Sequence, residues 1–437
     1  MANTVATLRM EQKFKKTLAG EIPVDWEVAT FGESFQFLRT ANNSRSDLSS
    51  LEKVGYIHYG DIHTKWRTTL RCDHVKLPKI KPAKVERIPR LRDGDLVMAD
   101  ASEDYDGLGV AVEVCNVGDQ EIVAGLHTFL LRDRGGQFAD GFRGYIQYIP
   151  AVRQRLIEAA TGVSVYGLSK GRLADVPIPR PPLGEQKKIA EILSAVDAAI
   201  EKTGSVIEKT QHFKNGLMQR FITKGTGEER TKGSLAGTIP YNWNVVPLQE
   251  VCQKIQDGTH FSPKSKDGPY MYVTSKNIRM GRLDLTDVAR ISTEEHREIY
   301  RRADIKFGDV LLTKDGAQAG NITINTIQEE FSLLSSVAMI RPDPQRVCSE
   351  WIYQFYASAK GRKILRNQIS GLAITRLTLD KIKKLPIALP SMHEQKKITR
   401  TLGAVDNAIQ QQEHCKEVSL RLKKSLMHVL LTGRVRM

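Results

Sequence analysis

Apolar and polar positions alternate over short distances through most of the chain. Short apolar runs bounded by Gly, Asp and Asn predict β-strands. These runs are Val54–His58, Asp95–Met98, Val110–Val114, Thr128–Leu131, Met271–Val273, Val310–Thr313 and Val337–Ile340. Helical stretches are predicted near Asp140–Ala160 and Cys348–Asn367. The pattern predicts two α+β domains, each with a curved mixed or antiparallel sheet and peripheral helices.

Twice the short alternation gives way to apolar residues three and four positions apart, from Ile189 to Phe221 and from Ile398 to Leu430. A sustained 3-4 alternation is typical of a coiled-coil seam. The predicted seam positions include Phe213 in the first helix and Cys415 and Leu422 in the second. We expect the two helices to pair with each other. In the alternative, each helix packs on its own domain.

An internal repeat accompanies the two helices. Glu185–Ile189 recurs as Glu394–Ile398, and the segments 185–200 and 394–409 are identical at most aligned positions. Earlier landmarks recur in the same order, as Ile22-Pro23-x-x-Trp26 and Ile239-Pro240-x-x-Trp243, Gly94-Asp95 and Gly308-Asp309, and Gly162 and Gly371. A unit of roughly 210 residues is therefore duplicated.

The repeat predicts five segments along the chain. They are an N-terminal arm or helix (1–20), a first globular domain (21–180), a first long helix (181–228), a second globular domain (229–389) and a second long helix (390–437).

Charge is the strongest compositional signal. The chain has 65 Lys and Arg against 50 Asp and Glu, a net charge of +15 and a pI near 9.5. Such a surplus indicates a polyanionic partner, most often nucleic acid, the alternative being a generally basic surface. No apolar stretch reaches about 18 residues, no apolar signal core follows Met1, and the five cysteines are isolated. We therefore expect a cytoplasmic protein with no membrane partner.

Enzyme signatures are missing from the sequence. It has no phosphate-binding Gly-x-x-x-x-Gly-Lys-Ser/Thr loop, no Gly-rich nucleotide turn and no His-Glu-x-x-His or Cys/His metal cluster. We expect no catalytic residue, no bound metal and no directly bound cofactor.

Polar turns mixed with basic and aromatic residues occur at equivalent places in both halves. Such side chains read base edges and hold phosphates, so we predict DNA contacts here. The first half contributes Tyr59, Asp61, His63, Lys65, Arg67, Ser102, Asp104 and Tyr105. The second half contributes Thr259, His260, Ser275, Lys276, Asn277, Lys314 and Gln318. Taken singly, each residue fits a solvated turn or a helix cap better than a DNA contact, and the prediction rests on the clusters as a set.

The repeated charged segment at the start of each long helix is a candidate docking site for partner proteins. Its residues are Glu185, Gln186, Lys187, Lys188, Glu394, Gln395, Lys396 and Lys397. The alternative is a solvated helix face.

This arrangement resembles the specificity subunit of type I restriction-modification systems over essentially the whole chain. The most specific segment is Leu-Pro-Ile-Ala-Leu-Pro-x-x-x-Glu-Gln-Lys-Lys-Ile (385–398), and 308–316 and 124–128 also look like family landmarks. The first half departs from the family pattern at Ala99–Ser102.

The resemblance implies two tandem globular α/β target recognition domains separated by two long conserved helices, which form an antiparallel coiled coil with a pseudo-twofold internal repeat. In that family each domain reads one half of a split, asymmetric double-stranded DNA site, and the helices fix the distance between the domains. The helices also dock two modification subunits, which bind S-adenosylmethionine and methylate adenine. Restriction subunits, which use ATP and Mg²⁺, can join the complex.

Two other functions stay open on the sequence. The chain could be a coiled-coil scaffold or adaptor that touches DNA only nonspecifically. It could also be a stand-alone enzyme with an unrecognised site, which methyl transfer by the purified chain alone would support.

Overall fold

The computed structural model describes residues 13–227, 230–265, 267–369 and 376–437. It contains two compact units. The first unit combines the chain up to Thr203 with Cys415–Met437, and the second is Gly204–His414. Each unit therefore contains parts of both long helices.

Short strands and helices make up the first unit as far as residue 180. The strands are β1 (Phe14–Thr17), β2 (Gly20–Pro23), β3 (Glu27–Thr30), β4 (Phe35–Leu38), β5 (Val54–Ile57), β6 (Thr69–Arg71), β7 (Lys79–Ile80), β8 (Leu96–Ala99), β9 (Ala101–Ser102), β10 (Ala111–Cys115), β11 (Ile122–Ala124), β12 (Thr128–Asp133), β13 (Tyr166–Gly167) and β14 (Pro177–Arg180). The helices are α1 (Phe31–Ser34), α2 (Tyr59–Thr64), α3 (Pro150–Glu158) and α4 (Lys170–Ala174), with 3-10 turns at Arg45–Asp47, Pro82–Lys84 and Arg143–Tyr148.

Two sheets form the centre of the first unit. One has the order β4-β12-β8-β10-β6 and is antiparallel except for the β10-β6 pair. The other has the order β11-β5-β7, with β5 parallel to β11 and antiparallel to β7. The predicted mixed sheet is confirmed.

Strand β8 separates two parts of the core. All four of its residues are buried, and successive side chains of a strand point to opposite faces. Leu96 and Met98 pack in the cluster that contains Leu193 of the first long helix. Val97 packs on the other face with Ile62 of α2. The alternation thus places α2 and the long helix on opposite sides of one sheet.

The second unit repeats this plan. Its strands are β15 (Thr231–Lys232), β16 (Ile239–Pro240), β17 (Asn244–Pro247), β18 (Cys252–Asp257), β19 (Tyr270–Val273), β20 (Ile278–Arg279), β21 (Arg282–Leu283), β22 (Ala289–Ile291), β23 (Val310–Thr313), β24 (Ile322–Ile324), β25 (Phe331–Leu333), β26 (Val337–Pro342) and β27 (Pro386–Leu389). The long helix α5 (Leu183–Lys224) precedes them, and the shorter helices are α6 (Thr293–Arg302), α7 (Ser349–Ala357), α8 (Ala359–Gln368) and α9 (Leu379–Lys383), with 3-10 turns at Leu248–Val251 and Ser275–Asn277. The last helix is α10 (Met392–Leu430).

The sheets of the second unit match those of the first, except that the larger sheet has four strands in place of five. The order β18-β26-β23-β24 is antiparallel, and β22-β19-β25 contains the parallel pair β19-β25. Strand β23 corresponds to β8, because Val310 and Leu312 pack in the cluster of Ile398, whereas Leu311 packs with Val273. The duplication seen in the sequence is therefore a duplication of the fold.

Helices α5 and α10 are 42 and 39 residues long. In the first unit Leu193, near the start of α5, packs in one cluster with Leu430 at the end of α10. In the second unit Ile222, near the end of α5, packs with Ile398 and Leu402 near the start of α10. The start of each helix thus meets the end of the other, which confirms an antiparallel coiled coil.

Part of the predicted seam is wrong. Phe213 and Leu422, at equivalent positions of the two helices, are 59% and 51% exposed, and Cys415 is also exposed. The neighbouring Lys214 and Lys423 are buried instead. A 3-4 alternation fixes the face of a helix only to within about one residue, and here lysines paired with aspartates of the opposite helix occupy the seam.

The prediction of an arm or helix over residues 1–20 can be compared with the structure from residue 13 onward, and there it is corrected. Residues 1–12 lie outside the described part of the chain, and so does Gly371. Phe14–Thr17 and Gly20–Pro23 form an antiparallel hairpin and not a helix, with Gly20 in the left-handed region (φ +84°). None of the helices in the described ranges is both long and apolar enough to cross a membrane.

Candidate nucleic-acid interface

The first predicted cluster lies on α2, directly after the buried strand β5. His58 caps this helix, and its Nδ1 accepts a hydrogen bond from the Gly60 N–H at 3.1 Å. Asp61 is buried, and its Oδ1 lies 2.8 Å from Lys65 Nζ and 3.3 Å from Arg45 Nη2. A buried carboxylate cannot reach a base edge, so a direct DNA contact is no longer expected for Asp61. Its role is to hold two exposed cations at the surface.

Aromatic rings cover the accessible side of α2. The Tyr59 ring centroid lies 5.9 Å from that of His63 and 5.3 Å from that of His127. His63 Nε2 is 3.0 Å from the Ala101 carbonyl oxygen, which ties α2 to the segment after β8. His127 Nδ1 lies 3.2 Å from the Asp100 carboxylate, and burial raises the pKa of Asp100 although His127 opposes the shift.

The second predicted cluster is a turn stabilised by its own side chains. Asp104 Oδ1 accepts from the Gly107 N–H at 2.6 Å, and Ser102 Oγ accepts from the Asp104 N–H at 3.2 Å. The Tyr105 ring stacks on Tyr166 with centroids 4.0 Å apart. Ser102 is buried and shapes the turn, whereas Asp104 and Tyr105 are exposed.

The two clusters of the first unit meet at Gly107. A Cβ at this position would lie 2.3 Å from Ser102 Oγ and 3.1 Å from His63 Nδ1, so a larger residue would displace the Ser102 hydroxyl. The side chains of this surface that solvent reaches form the first patch. It consists of Tyr59, His63, Lys65, Asp104 and Tyr105, together with His127 and Tyr166. The predicted Arg67 is exposed, and its backbone carbonyl accepts from Gln147 Nε2 at 3.4 Å.

In the second unit the predicted residues surround a buried ion pair. Lys314 Nζ lies 3.0 Å from Asp257 Oδ2, and both residues are at most 2% exposed. Asp257 Oδ1 also lies 2.8 Å from Arg302 Nη2, and its Oδ2 lies 3.6 Å from His260 Nε2. Lys314 is therefore occupied inside the unit, and a direct DNA contact is no longer expected for it. Arg302 and the His260 imidazole reach the surface here.

A short 3-10 turn after β19 carries the second group. Asn277 and Thr274 form a capping box, and Asn277 Nδ2 donates to the Asp284 carbonyl at 3.0 Å. Asn277 is thus a buried cap, which was the alternative to a DNA contact. Lys276 on the same turn is exposed. The Ser275 N–H donates to Ser336 Oγ at 3.2 Å.

Other predicted residues connect these turns. Gln318 Oε1 accepts from Arg279 Nη1 at 2.8 Å. The buried Thr259 accepts at its carbonyl from the Ser335 N–H at 2.7 Å, and the Lys314 N–H donates to the Ser336 carbonyl at 2.8 Å. We define the second patch as His260, Ser275, Lys276 and Gln318, together with Arg279 and Arg302.

The two patches occupy equivalent places in the repeated fold but differ in chemistry. Each lies where one strand of a parallel pair ends, at β5 or β19, and next to the end of β8 or β23. The first patch is rich in aromatic rings and imidazoles, whereas the second offers hydroxyl, amide, lysine and arginine groups. The same scaffold therefore presents two different surfaces.

The repeated segment at the start of each long helix is partly internal. Glu185 Oε2 accepts from Trp26 Nε1 at 3.0 Å, and Glu394 Oε2 accepts from Trp243 Nε1 at 2.9 Å. All four residues are buried, and Arg436 adds two hydrogen bonds of 2.8 Å to the Glu185 carboxylate. This contact ties each globular domain to its helix.

The glutamines of the segment have the same internal role. Gln186 accepts from the Ala139 N–H at 2.9 Å and donates to the Pro181 carbonyl at 2.8 Å. Gln395 accepts from the Cys348 N–H at 3.1 Å and donates to the Pro390 carbonyl at 3.0 Å. Both amides are fully buried. Of the residues predicted to dock partners, solvent reaches Lys187, Lys188, Lys396 and Lys397.

Sequence reasoning missed several members of the two patches. Tyr166, His127 and Arg302 lie on strands, helices or loops that only tertiary folding brings to the predicted residues. The buried tryptophans had a signal in the sequence, because both belong to the repeated Ile-Pro-x-x-Trp motif. Within the described ranges no group of three or more His, Cys, Asp or Glu could hold a metal ion.

Comparison with known proteins decides the family. The sequence model of one protein family, the type I restriction modification DNA specificity domain, matches residues 145–209 and 240–418. These are more than half of the 437 residues. The chain belongs to this family. The MjaVIII type I restriction enzyme specificity subunit of Methanocaldococcus jannaschii is 26% identical over 433 residues, covering 98% of this chain and 96% of that subunit. The EcoKI specificity subunit of Escherichia coli is 22% identical, with 87% and 82% covered.

Solved structures of type I restriction-modification proteins share the fold. The S subunit from M. genitalium superposes with a TM-score of 0.57 at 13% identity, covering 93% of this chain and 96% of that one. A chain from a structural study of type I complex assembly and conformational transition gives 0.50 at 16% identity, with 95% and 99% covered. At 13% and 16% identity these structures establish the fold alone, and they confirm the fold class that the resemblance implied for this chain.

Proposed function

We propose that this chain reads a split, asymmetric DNA site for a type I restriction-modification complex, with each globular unit reading one half. The observation that carries the proposal is the pair of patches at equivalent places in a duplicated fold. Two copies of one surface would suit a symmetric site, whereas two different sets of side chains suit two different half-sites. The net charge of +15 favours binding to the DNA backbone.

In this proposal the antiparallel coiled coil acts as a ruler. A helix of 42 residues is about 63 Å long at about 1.5 Å per residue. Helix pairs of this kind hold their ends at a set distance, and two readers at a set distance specify two base patches with unread bases between them.

Partner subunits supply the chemistry. We propose that two modification subunits, which bind S-adenosylmethionine and methylate adenine, dock on the helical segments, and that restriction subunits using ATP and Mg²⁺ join them. The exposed lysine pairs at 187–188 and 396–397 offer a charged surface at each helix start. This chain then acts in the cytoplasm as a non-catalytic reader, with no cofactor of its own.

The competing function is a coiled-coil scaffold that binds DNA without sequence preference. Competition binding at one fixed salt concentration separates the two. A labelled duplex that carries the site methylated in the host is challenged with three unlabelled duplexes, which are intact, scrambled in one half-site or scrambled in both. A reader prefers the intact site by about 4 kcal/mol or more. Equal competition by all three duplexes, with affinity falling only as salt rises, would favour the scaffold.

A further inference from the structure

Lys423 is a charged residue in the seam of the coiled coil. It is 8% exposed, and its Nζ lies 2.5 Å from Asp197 Oδ1 of the other helix. Removing one member of a buried ion pair leaves the other member uncompensated, which is costly. The pair therefore favours the helix register in which Lys423 faces Asp197 over every register that separates the two residues.

The second unit contains an equivalent pair. Lys214 is 6% exposed, and its Nζ lies 2.6 Å from Asp406 Oδ1. The sequence distance from Asp197 to Lys214 in α5 equals that from Asp406 to Lys423 in α10. Both pairs therefore belong to one antiparallel register.

Each aspartate also holds the globular domain. Asp197 Oδ2 accepts from Tyr145 Oη at 2.7 Å and from Thr68 Oγ1 at 3.2 Å. Asp406 Oδ2 accepts from Gln354 Nε2 at 2.9 Å. One carboxylate in each unit thus joins three elements, which are its own helix, the antiparallel helix and the domain that carries the patch.

A slip of the helices by one heptad would break this arrangement. In one direction Lys423 would face Gly204, Asp197 would face Leu430 and Asp406 would face Phe221, and only Lys214 would find an opposite charge, at Glu413. In the other direction Lys423 would face Ala190, Lys214 would face Thr399 and Asp406 would face Ile207, and only Asp197 would find one, at Lys416. Either slip leaves three of the four charges in the seam without a partner. Buried polar residues fix coiled-coil register in this way.

We infer that four positioning residues, Asp197, Lys423, Asp406 and Lys214, set the register of the two helices and the position of each domain on them. Through this register and these positions they set the number of unread bases between the half-sites. The inference rests on the proposed function. It assigns spacer length to two specific ion pairs within the helices, whereas helix length alone would leave the register free to slip.

Methylome sequencing of the host tests the inference, because it reports both half-sites and the spacer in one measurement. The test variant carries Asp197→Asn, Lys423→Met, Asp406→Asn and Lys214→Met in the full chain with its partner subunits. Asparagine keeps an acceptor for Tyr145, and methionine fills the space of the lysine stem, so the variant removes charge with little loss of packing. Lys209→Met with Lys424→Met is the matched control, since both lysines are exposed on the same helices.

We expect the variant to keep both half-sites but to methylate sites with other spacer lengths at least about tenfold more than wild type does, a change of about 1.4 kcal/mol in discrimination. The control keeps one spacer. The exchange of charges, Asp197→Lys with Lys423→Asp, should restore more of the single spacer than either substitution alone. A folded variant with one unchanged spacer would overturn the inference.

Failure of the inference is distinguishable from failure of the proposed function. If the wild-type chain produces no two-part motif, the proposed function fails. The ion pair is then tested on the purified chain by its melting temperature, with Asp197→Asn keeping an acceptor for Tyr145. A positioning pair predicts that Asp197→Asn and Lys423→Met each lower the melting temperature and that the double variant loses less than the sum of the two. Strictly additive losses would overturn the inference on its own terms.

Discussion

The contact between a buried glutamate and a buried tryptophan occurs once in each unit, but its surroundings differ. Glu185 accepts hydrogen bonds from Trp26 and from the Arg436 guanidinium, whereas Glu394 accepts from Trp243 and from the Thr226 N–H. A buried charge is costly when its counter-charge is removed. The same substitution should therefore have unequal effects in the two units.

Glu185→Gln is expected to destabilise the protein by about 2–3 kcal/mol, because it leaves Arg436 without a full counter-charge. At Glu394 the equivalent group is a backbone N–H, so for Glu394→Gln we expect a loss of about 1 kcal/mol. Chemical denaturation measures both. Glu191→Gln, on the exposed side of the first long helix, is the control and should change stability by less than about 0.5 kcal/mol. Equal losses at 185 and 394 would contradict the role of Arg436.

Arg436 also makes stability depend on pH. Its hydrogen bonds hold the pKa of Asp25 below the usual 3.8. A carboxylate with a lowered folded pKa contributes stability above its unfolded pKa and loses it as pH falls through the folded value. The stability difference between wild type and Arg436→Gln should be greatest near neutral pH and should shrink below 3.8. Thermal melts at pH 7 and pH 3 measure it, and a difference that grows in acid would refute the assignment.

Two lysines of the second unit should separate DNA binding from stability. Lys276 is exposed, so Lys276→Ala should weaken DNA binding and reduce the salt slope by about one, with an unchanged melting temperature. Lys314→Met leaves Asp257 with one buried counter-ion fewer and should lower the melting temperature instead. Titration of labelled DNA at several salt concentrations, with melts in parallel, gives both readouts. A Lys314 variant that melts like wild type and binds DNA weakly would contradict this division.

At the scale of single residues, residue types and repeat positions placed the predicted DNA contacts on turns that follow strands predicted by the alternation. That these turns contact DNA stays a prediction. They could not show that Asp61, Asn277 and Lys314 face inward. Whether a polar side chain of a turn is a cap, a counter-ion or a ligand-facing group depends on neighbours that are distant in sequence.

At the scale of elements the long helices were the most predictable part. Their period is sustained along the whole of each helix, and proline and glycine mark their limits. Strands such as β5, β8 and β23 were also predicted to within one residue at each end. The N-terminal hairpin was not predicted, because two strands of four residues contain too few alternating positions to be recognised. The buried lysines of the seam were not predicted either. A buried lysine needs a counter-ion, and here the counter-ion lies on the other long helix.

The ruler makes a prediction about these helices. Deleting residues 204–210 together with 410–416 removes one heptad from each helix in matching register and shortens the pair by about 10 Å, the length of about three base pairs. Methylome sequencing should show the same half-sites with a shorter spacer. Deleting 204–210 alone is the control and should abolish methylation, because it breaks the register. A changed half-site sequence would contradict the ruler.

At the scale of the whole molecule the duplication explains most of the organisation. One order of strands, one tryptophan–glutamate contact and one ion pair with the returning helix occur in each unit. Sequence alone showed this order because the landmarks repeat at matched places. It could not show the contents of the two patches, since the domains share few residues outside the landmarks and side-chain placement depends on each unit's own loops.

In the proposed function each globular unit reads its own half of one DNA site. The most direct test replaces residues 20–176 with the corresponding domain of a family member of known specificity, followed by methylome sequencing of the host with the partner subunits present. We expect one half-site to change to that of the donor, while the other half-site and the spacer stay as they were. Loss or alteration of both half-sites by a folded, methylation-competent chimera would contradict it.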